Sequence, residues 1–200
     1  LILTQARAKP RFYHFRAGRL TTISDSYENQ VHISYDLVGR IQRIDNGAGR
    51  SLLLRYDDRH IVGVDQQQKR SEYDESGKRQ DPWLTLQTLV TYGYNVRNQL
   101  VFATNAVGET EHYRYNEQHV ILERKLAGGA SFFWEWEREG KLSRCVRHWT
   151  NYSPLETRYE WDDKGTVTVY NADGSEKLYV HDENARLISE TAPNGAETQK

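Results

Sequence analysis

Seven histidines, one cysteine and 28 acidic side chains are the groups in this 200-residue sequence that could hold a metal or move protons. A metal site needs ligands gathered by spacing, such as two histidines one helical turn apart or paired cysteines. Cys145 stands alone, no His-x-x-x-His occurs, and His60 and His119 fall in turn-like stretches. Glu135 with Glu137, or Glu109 with Glu111, could serve as the two carboxylates of a glycosidase. Alternate residues of a strand share one face, however, so each pair also suits a solvated charged surface. "HYRY" at 112–115 interleaves aromatics with arginine and could stack bases or sugars. Asn151-Tyr152-Ser153 is a nominal glycosylation acceptor, but Pro154 follows it. With no G-x-S-x-G, P-loop or dinucleotide-binding glycine motif, no enzyme, cofactor or metal is expected.

Composition narrows the class further. The chain is 37% hydrophobic and 28% charged, with a mean hydropathy of −0.85. Thirteen tyrosines and five tryptophans argue against disorder, because disordered chains are poor in aromatics. The net charge of −1, with no block of like charge, does not point to nucleic acid or an anionic membrane. No apolar run is long enough for a membrane helix. A lone cysteine rules out an internal disulfide framework. The opening "LILTQARAKPRF" has neither an initiator methionine nor a signal-peptide pattern, and reads as a piece of a longer polypeptide.

The elements that position these residues come from a repeat. An aromatic anchor recurs at His14, Tyr35, Tyr56, Tyr73, Tyr94, Tyr115, Trp136, Trp161 and His181, with five of the eight intervals equal to 21 residues. Asp, Asn or Glu follows the anchor in all copies but the first, where Phe15 stands. Four residues after the anchor comes a turn glycine in five copies, Gly18, Gly39, Gly77, Gly140 and Gly165. Aliphatic residues such as Leu20, Ile41, Ile121 and Leu187 resume two residues later. Two residues before the anchor the side chain is large and apolar in eight copies, from Phe12, Ile33 and Leu54 to Tyr159 and Tyr179, with Ser71 the exception. Polar residues such as Ser34, Arg55, Arg114, Glu135 and Glu160 lie between these columns. A second reversal is marked by Gly49, Gly108, Gly129 and Gly174, and Gly195 opens a truncated tenth copy.

Strand, glycine turn and strand make a hairpin. The expected fold is therefore all-β, one antiparallel hairpin per 21 residues or so, with an aromatic face and a charged face. Open sheets rarely exceed about ten strands without curling, so a meander of about 18 strands is expected to curl. "RQDPWLT" reads as an irregular connection, because Pro82 cannot donate to a ladder. Residues 1–200 form one continuous segment on this reading, and its open edges are expected to promote association when it is isolated.

The pattern Tyr35-Asp36-Leu37-Val38-Gly39-Arg40-Ile41 resembles the YD repeat of Rhs proteins, shared with Tc-toxin C components, wall-associated proteins and teneurins. The resemblance covers residues 12–200 and implies a β-ribbon spiralling into a hollow shell around a C-terminal toxin domain. In that family the toxin reaches competing cells, often through a type VI secretion system. The implied partners are the rest of the shell, the enclosed toxin, a secretion chaperone and a type VI spike protein, with no nucleic acid and no membrane insertion. The implied itinerary runs from the bacterial cytoplasm to secretion or delivery into a target cell. The family's self-cleaving core ends in paired D-P-x-G motifs, whereas Asp81-Pro82-Trp83-Leu84 lacks the glycine, so no catalytic aspartate is carried over. No toxin domain is visible within the chain. A surface adhesive or carbohydrate-binding array, or a Tc-toxin C component, is the competing expectation.

Overall fold

The computed structural model describes residues 2–5, 10–139 and 142–199. The described residues contain no helix and form a long antiparallel sheet with one small separate hairpin. Compact packing divides the chain into two units, Leu1–Gly93 with Ala103–Glu109, and Tyr94–Phe102 with Thr110–Lys200.

In the first unit, β1 (Ile2–Gln5), β2 (Arg11–Arg16), β3 (Arg19–Asp25), β4 (Gln30–Tyr35), β5 (Ile41–Asp45), β6 (Arg50–Tyr56) and β7 (Ile61–Lys69) form a meander, each antiparallel to the one before. The chain then leaves the sheet for a hairpin, β8 (Glu72–Tyr73) and β9 (Arg79–Gln80), and returns as β10 (Trp83–Tyr94), which pairs directly with β7. The Arg70 amide donates to the Pro82 carbonyl at 3.1 Å and closes the base of the excursion, while Pro82 itself needs no ladder acceptor.

β11 (Leu100–Asn105) follows. In the second unit, β12 (Thr110–Tyr115), β13 (Ile121–Lys125), β14 (Ser131–Glu139), β15 (Leu142–Thr150), β16 (Glu156–Trp161), β17 (Thr166–Tyr170), β18 (Glu176–His181), β19 (Leu187–Thr191) and β20 (Glu197–Gln199) form a second meander. Its register puts Tyr113, Phe132, Trp134, His148, Tyr159, Val167 and Tyr179 on one face. The opposite face carries Arg114, Glu123, Arg147, Glu156 and Arg158, which pair with one another at 2.6–3.2 Å.

Neither face is covered deeply. Among the described residues Val167, 4% exposed, is the one buried hydrophobic side chain, and no large side chain is fully buried. A side chain on such a sheet is sheltered only by its neighbours on the same face, so cross-strand pairs and the ladder stabilise the fold.

The first copy departs from the sequence reading. Tyr13 pairs with Ile23, Ile23 with Val31 and Ile33 with Ile44, so Tyr13 and Phe15 lie on the face of Ile33 and Tyr35. His14 and Phe12 lie on the other face, and His14 bonds Ser24 Oγ at 3.0 Å. The cause is the turn. Ala17 and Gly18 both have positive φ, 48° and 76°, and join the strands through two residues, with Arg16 directly opposite Arg19. A shorter turn displaces the register by one residue and exchanges the faces. His14 is thus not the equivalent of Tyr35.

Candidate functional site

The repeated feature with defined chemistry is the anchor ring and what it touches. At Tyr35, Tyr56, Tyr115, Trp136 and His181 the ladder slips by one residue, so each anchor faces a β-bulge on the following strand. The polar tip of an anchor then reaches back to the preceding hairpin. Tyr35 Oη–H donates to the Leu20 carbonyl at 2.8 Å, and Tyr56 Oη–H to Ile41 at 2.7 Å. Trp136 Nε1–H donates to Ile121 at 2.6 Å, and Trp161 Nε1–H to Cys145 at 2.7 Å. His181 Nδ1–H donates to Gly165 at 2.9 Å, which fixes its tautomer. In each case the acceptor stands fifteen or sixteen residues upstream. Tyrosine, tryptophan and histidine share a ring with a donor at its rim, which is what this clip requires.

The arginine before the acceptor has its own part. Arg19, Arg40 and Arg144 directly precede Leu20, Ile41 and Cys145, and their guanidinium groups lie over Tyr35, Tyr56 and Trp161 at 5.3, 4.4 and 5.8 Å. One hairpin therefore offers the next a cation for the ring face and a carbonyl for the ring tip.

The residue after the anchor builds the turn. Asp36 Oδ1 accepts from the Val38 and Arg40 amides at 3.1 and 2.8 Å. Asp57, Asp74, Asn95, Asn116, Asp162 and Asp182 each accept two backbone amides in the same way. Gly39, Gly77 and Gly165 close these turns with φ of 92°, 74° and 85°, and Asn98, His119 and Ala185 hold the same position with φ near 60°. Gly140 lies outside the described residues. The alternate turns use the same device at Asp25, Asn46 and Asn105. Sequence reasoning marked those turns by glycine alone and missed the Asx residue ten positions before the anchor.

These carboxylates set an acid response. The Arg40 side chain beside Asp36 holds its carboxyl below the usual range, and Asn29 does the same for Asp25. A carboxylate with a depressed folded pKa stabilises the fold above its ordinary pKa, and that stability is lost as pH falls through the folded value. Asp36→Asn, which keeps one acceptor oxygen but cannot titrate, should flatten the loss of stability on acidification. Denaturant melts at neutral and strongly acidic pH read this directly, and an unchanged acid slope would count against the account.

The remaining anchors differ in setting. Tyr73 lies in the β8–β9 hairpin, 69% exposed. Tyr94 ends β10, and Tyr115 is half-buried opposite Ile121, where burial pushes its hydroxyl pKa up.

The groups that suggested other chemistry are engaged locally. Glu111 accepts from Arg124 and Tyr113, and Glu109 from Asn105 Nδ2. Asp81 accepts from Ser71 and Arg79. Glu156, held between Arg147 and Arg158, has its pKa lowered to about 2. Burial pushes the Cys145 thiol up and the His148 imidazole down. The Asn151 amide bridges Ser131 N–H and the Gly129 carbonyl. Among the described residues no three His, Cys, Asp or Glu side chains gather in a metal-binding arrangement.

No family model matches the chain, and no curated protein matches it. Among solved structures it is similar to the crystal structure of TcdB2-TccC3, with 16% identity and a TM-score of 0.45, covering 96% of this chain and 11% of that one. It is similar to TcdB2-TccC3-Cdc42 at 14% identity and 0.43, covering 96% and 12%. The Photorhabdus luminescens Tc holotoxin pore gives 14% and 0.42, again covering 96% and 12%. The chain thus spans about a ninth of the first of these. Identities and scores this low leave the functional reading to the chain's own geometry.

Proposed function

We propose that this chain is a stretch of containment wall, part of an Rhs-type shell that sequesters a C-terminal toxin domain until delivery between competing bacteria, with type VI secretion as the route. The observation that carries the reading is the clip. The ring donors of Tyr35, Tyr56, Trp136, Trp161 and His181, and the arginines over three of these rings, are taken up by adjacent hairpins, which is what a wall needs and a recognition surface does not.

A sugar-binding array would need ring faces free for stacking. In the most aromatic hairpin they are not. Trp134 lies 5.0 Å from His148 and Phe132 6.2 Å from it, with interplanar angles of 20° and 8°. These rings stack on one another, which takes up ring faces that a sugar would need.

Expressed within its native polypeptide, the wall should keep a C-terminal passenger resistant to added protease. The double change Tyr35→Ala and Tyr56→Ala should make that passenger cleavable. A passenger cut equally fast in both, or no passenger with polysaccharide retained instead, would overturn containment.

A further inference from the structure

The turn between β5 and β6 departs from the other Asx turns. Its Asx residue is Asn46, and the next residue is Gly47, where other turns carry Leu37, Val96 or Glu117. Asn46 Oδ1 accepts from the Ala48 and Arg50 amides, both at 3.0 Å. The Gly47 amide donates to Asp45 Oδ1, also at 3.0 Å. Asn46 and Gly47 are exposed, and Gly47 has φ of 68°.

From these contacts we propose that Asn46 is a self-modification site, converting to aspartate and isoaspartate through a succinimide. The Gly47 nitrogen is a nucleophile with no side chain on its residue to hinder it, and a carboxylate stands in place to take its proton. The two amides on Oδ1 occupy the position where negative charge develops when a nucleophile adds to Cγ. Gly47 N–H gives its proton to the Asp45 carboxylate as N attacks Asn46 Cγ and the C–N bond forms. The tetrahedral centre collapses, Cγ–Nδ2 breaks, and Nδ2 leaves as ammonia with the proton returned by Asp45. Solvent water then adds to either succinimide carbonyl, giving aspartate, or isoaspartate with the main chain routed through the side chain. Both products carry a new negative charge at the turn. The isoaspartate form also lengthens the backbone where the two-amide cap had held it, and loosens the β5–β6 hairpin.

Asn194-Gly195 is an internal control with the same dipeptide. There Gly195 N–H donates to the Ala192 carbonyl at 2.9 Å, which is no base, and Asn194 Oδ1 accepts from Ala196 alone at 3.1 Å. In the folded chain Asn46 should therefore deamidate several-fold faster than Asn194, and in denaturant the two rates should converge. Incubation of the chain within its native polypeptide at neutral pH, followed by peptide mapping with isoaspartate detection, measures both sites in one sample. Asp45→Asn should slow Asn46 and leave Asn194 unchanged, with circular dichroism reporting whether the sheet is retained. Equal rates in the folded wild type, or a faster Asn194, overturn the proposal without any variant. A faster Asn46 that ignores Asp45→Asn overturns the base-assisted route.

Discussion

Trp136→Ala should destabilise the second unit by about 2–3 kcal/mol, less than the ~3–5 kcal/mol of a fully buried ring, because no large side chain among the described residues is fully covered. The ring contributes in two ways, and a second substitution separates them. Trp136→Phe keeps an aromatic body but removes the Nε1–H that reaches the Ile121 carbonyl at 2.6 Å. Its expected cost is about 1 kcal/mol, the usual net worth of one hydrogen bond. The loss should register in the adjacent hairpin as faster amide exchange in β13, since the clip joins β14 to the strand before it. Glu135→Gln, on the opposite face, should stay within roughly half a kcal/mol. If Trp136→Phe matched wild type in both melting and exchange, the clip would be decoration and packing alone would hold the hairpins.

The second large effect lies at a glycine. Gly165→Ala should cost about 2–4 kcal/mol, of which ~1–2 kcal/mol comes from forcing a side chain into the left-handed region at φ of 85°. The rest is contact: a Cβ there would stand 2.9 Å from the His181 carbonyl oxygen, a backbone atom with little room to retreat. Gly165 is also where His181 is fastened, through its ring and its amide at 2.9 and 3.0 Å. Gly174 makes the comparison clean, because its φ is 79° and nothing lies within 4 Å of the position an added methyl would take. Gly174→Ala should therefore show the backbone cost alone, about 1–2 kcal/mol. Thermal melts of the two variants, run side by side, decide it, and equal losses would show that the contact with His181 relaxes freely.

These residues also show how far the sequence could be read. The turn chemistry was legible because glycine and Asx at fixed offsets report local backbone needs. The two-faced strands were legible because alternation has a period of two. Three things were not. The face exchange at His14 follows from one missing turn residue, and a spacing of 21 conceals it because Leu20 still falls in its column. The excursion of Tyr73 depends on which strand β10 prefers, a long-range pairing that no local pattern encodes. The clip left a partial signal: the other anchors are tyrosine, tryptophan and histidine, all with a donor on the ring, whereas Phe15, which the register puts in the anchor place of the first copy, has none. Rings that differ in size and share a donor at the rim point to a hydrogen bond.

The near-absence of a buried interior, with Val167 the one buried hydrophobic side chain among the described residues, has a thermal consequence. Unfolding raises heat capacity in proportion to the apolar surface it wets, about 12–15 cal/mol/K per residue in ordinary globular domains. This sheet has already wetted much of that surface while folded, so its increment should fall below that range. A small increment makes the curve of stability against temperature broad and shallow, and the denaturant slope correspondingly gentle. Such a sheet has no deep optimum to lose on cooling or warming, and it holds its clips about equally well across a wide range of temperature.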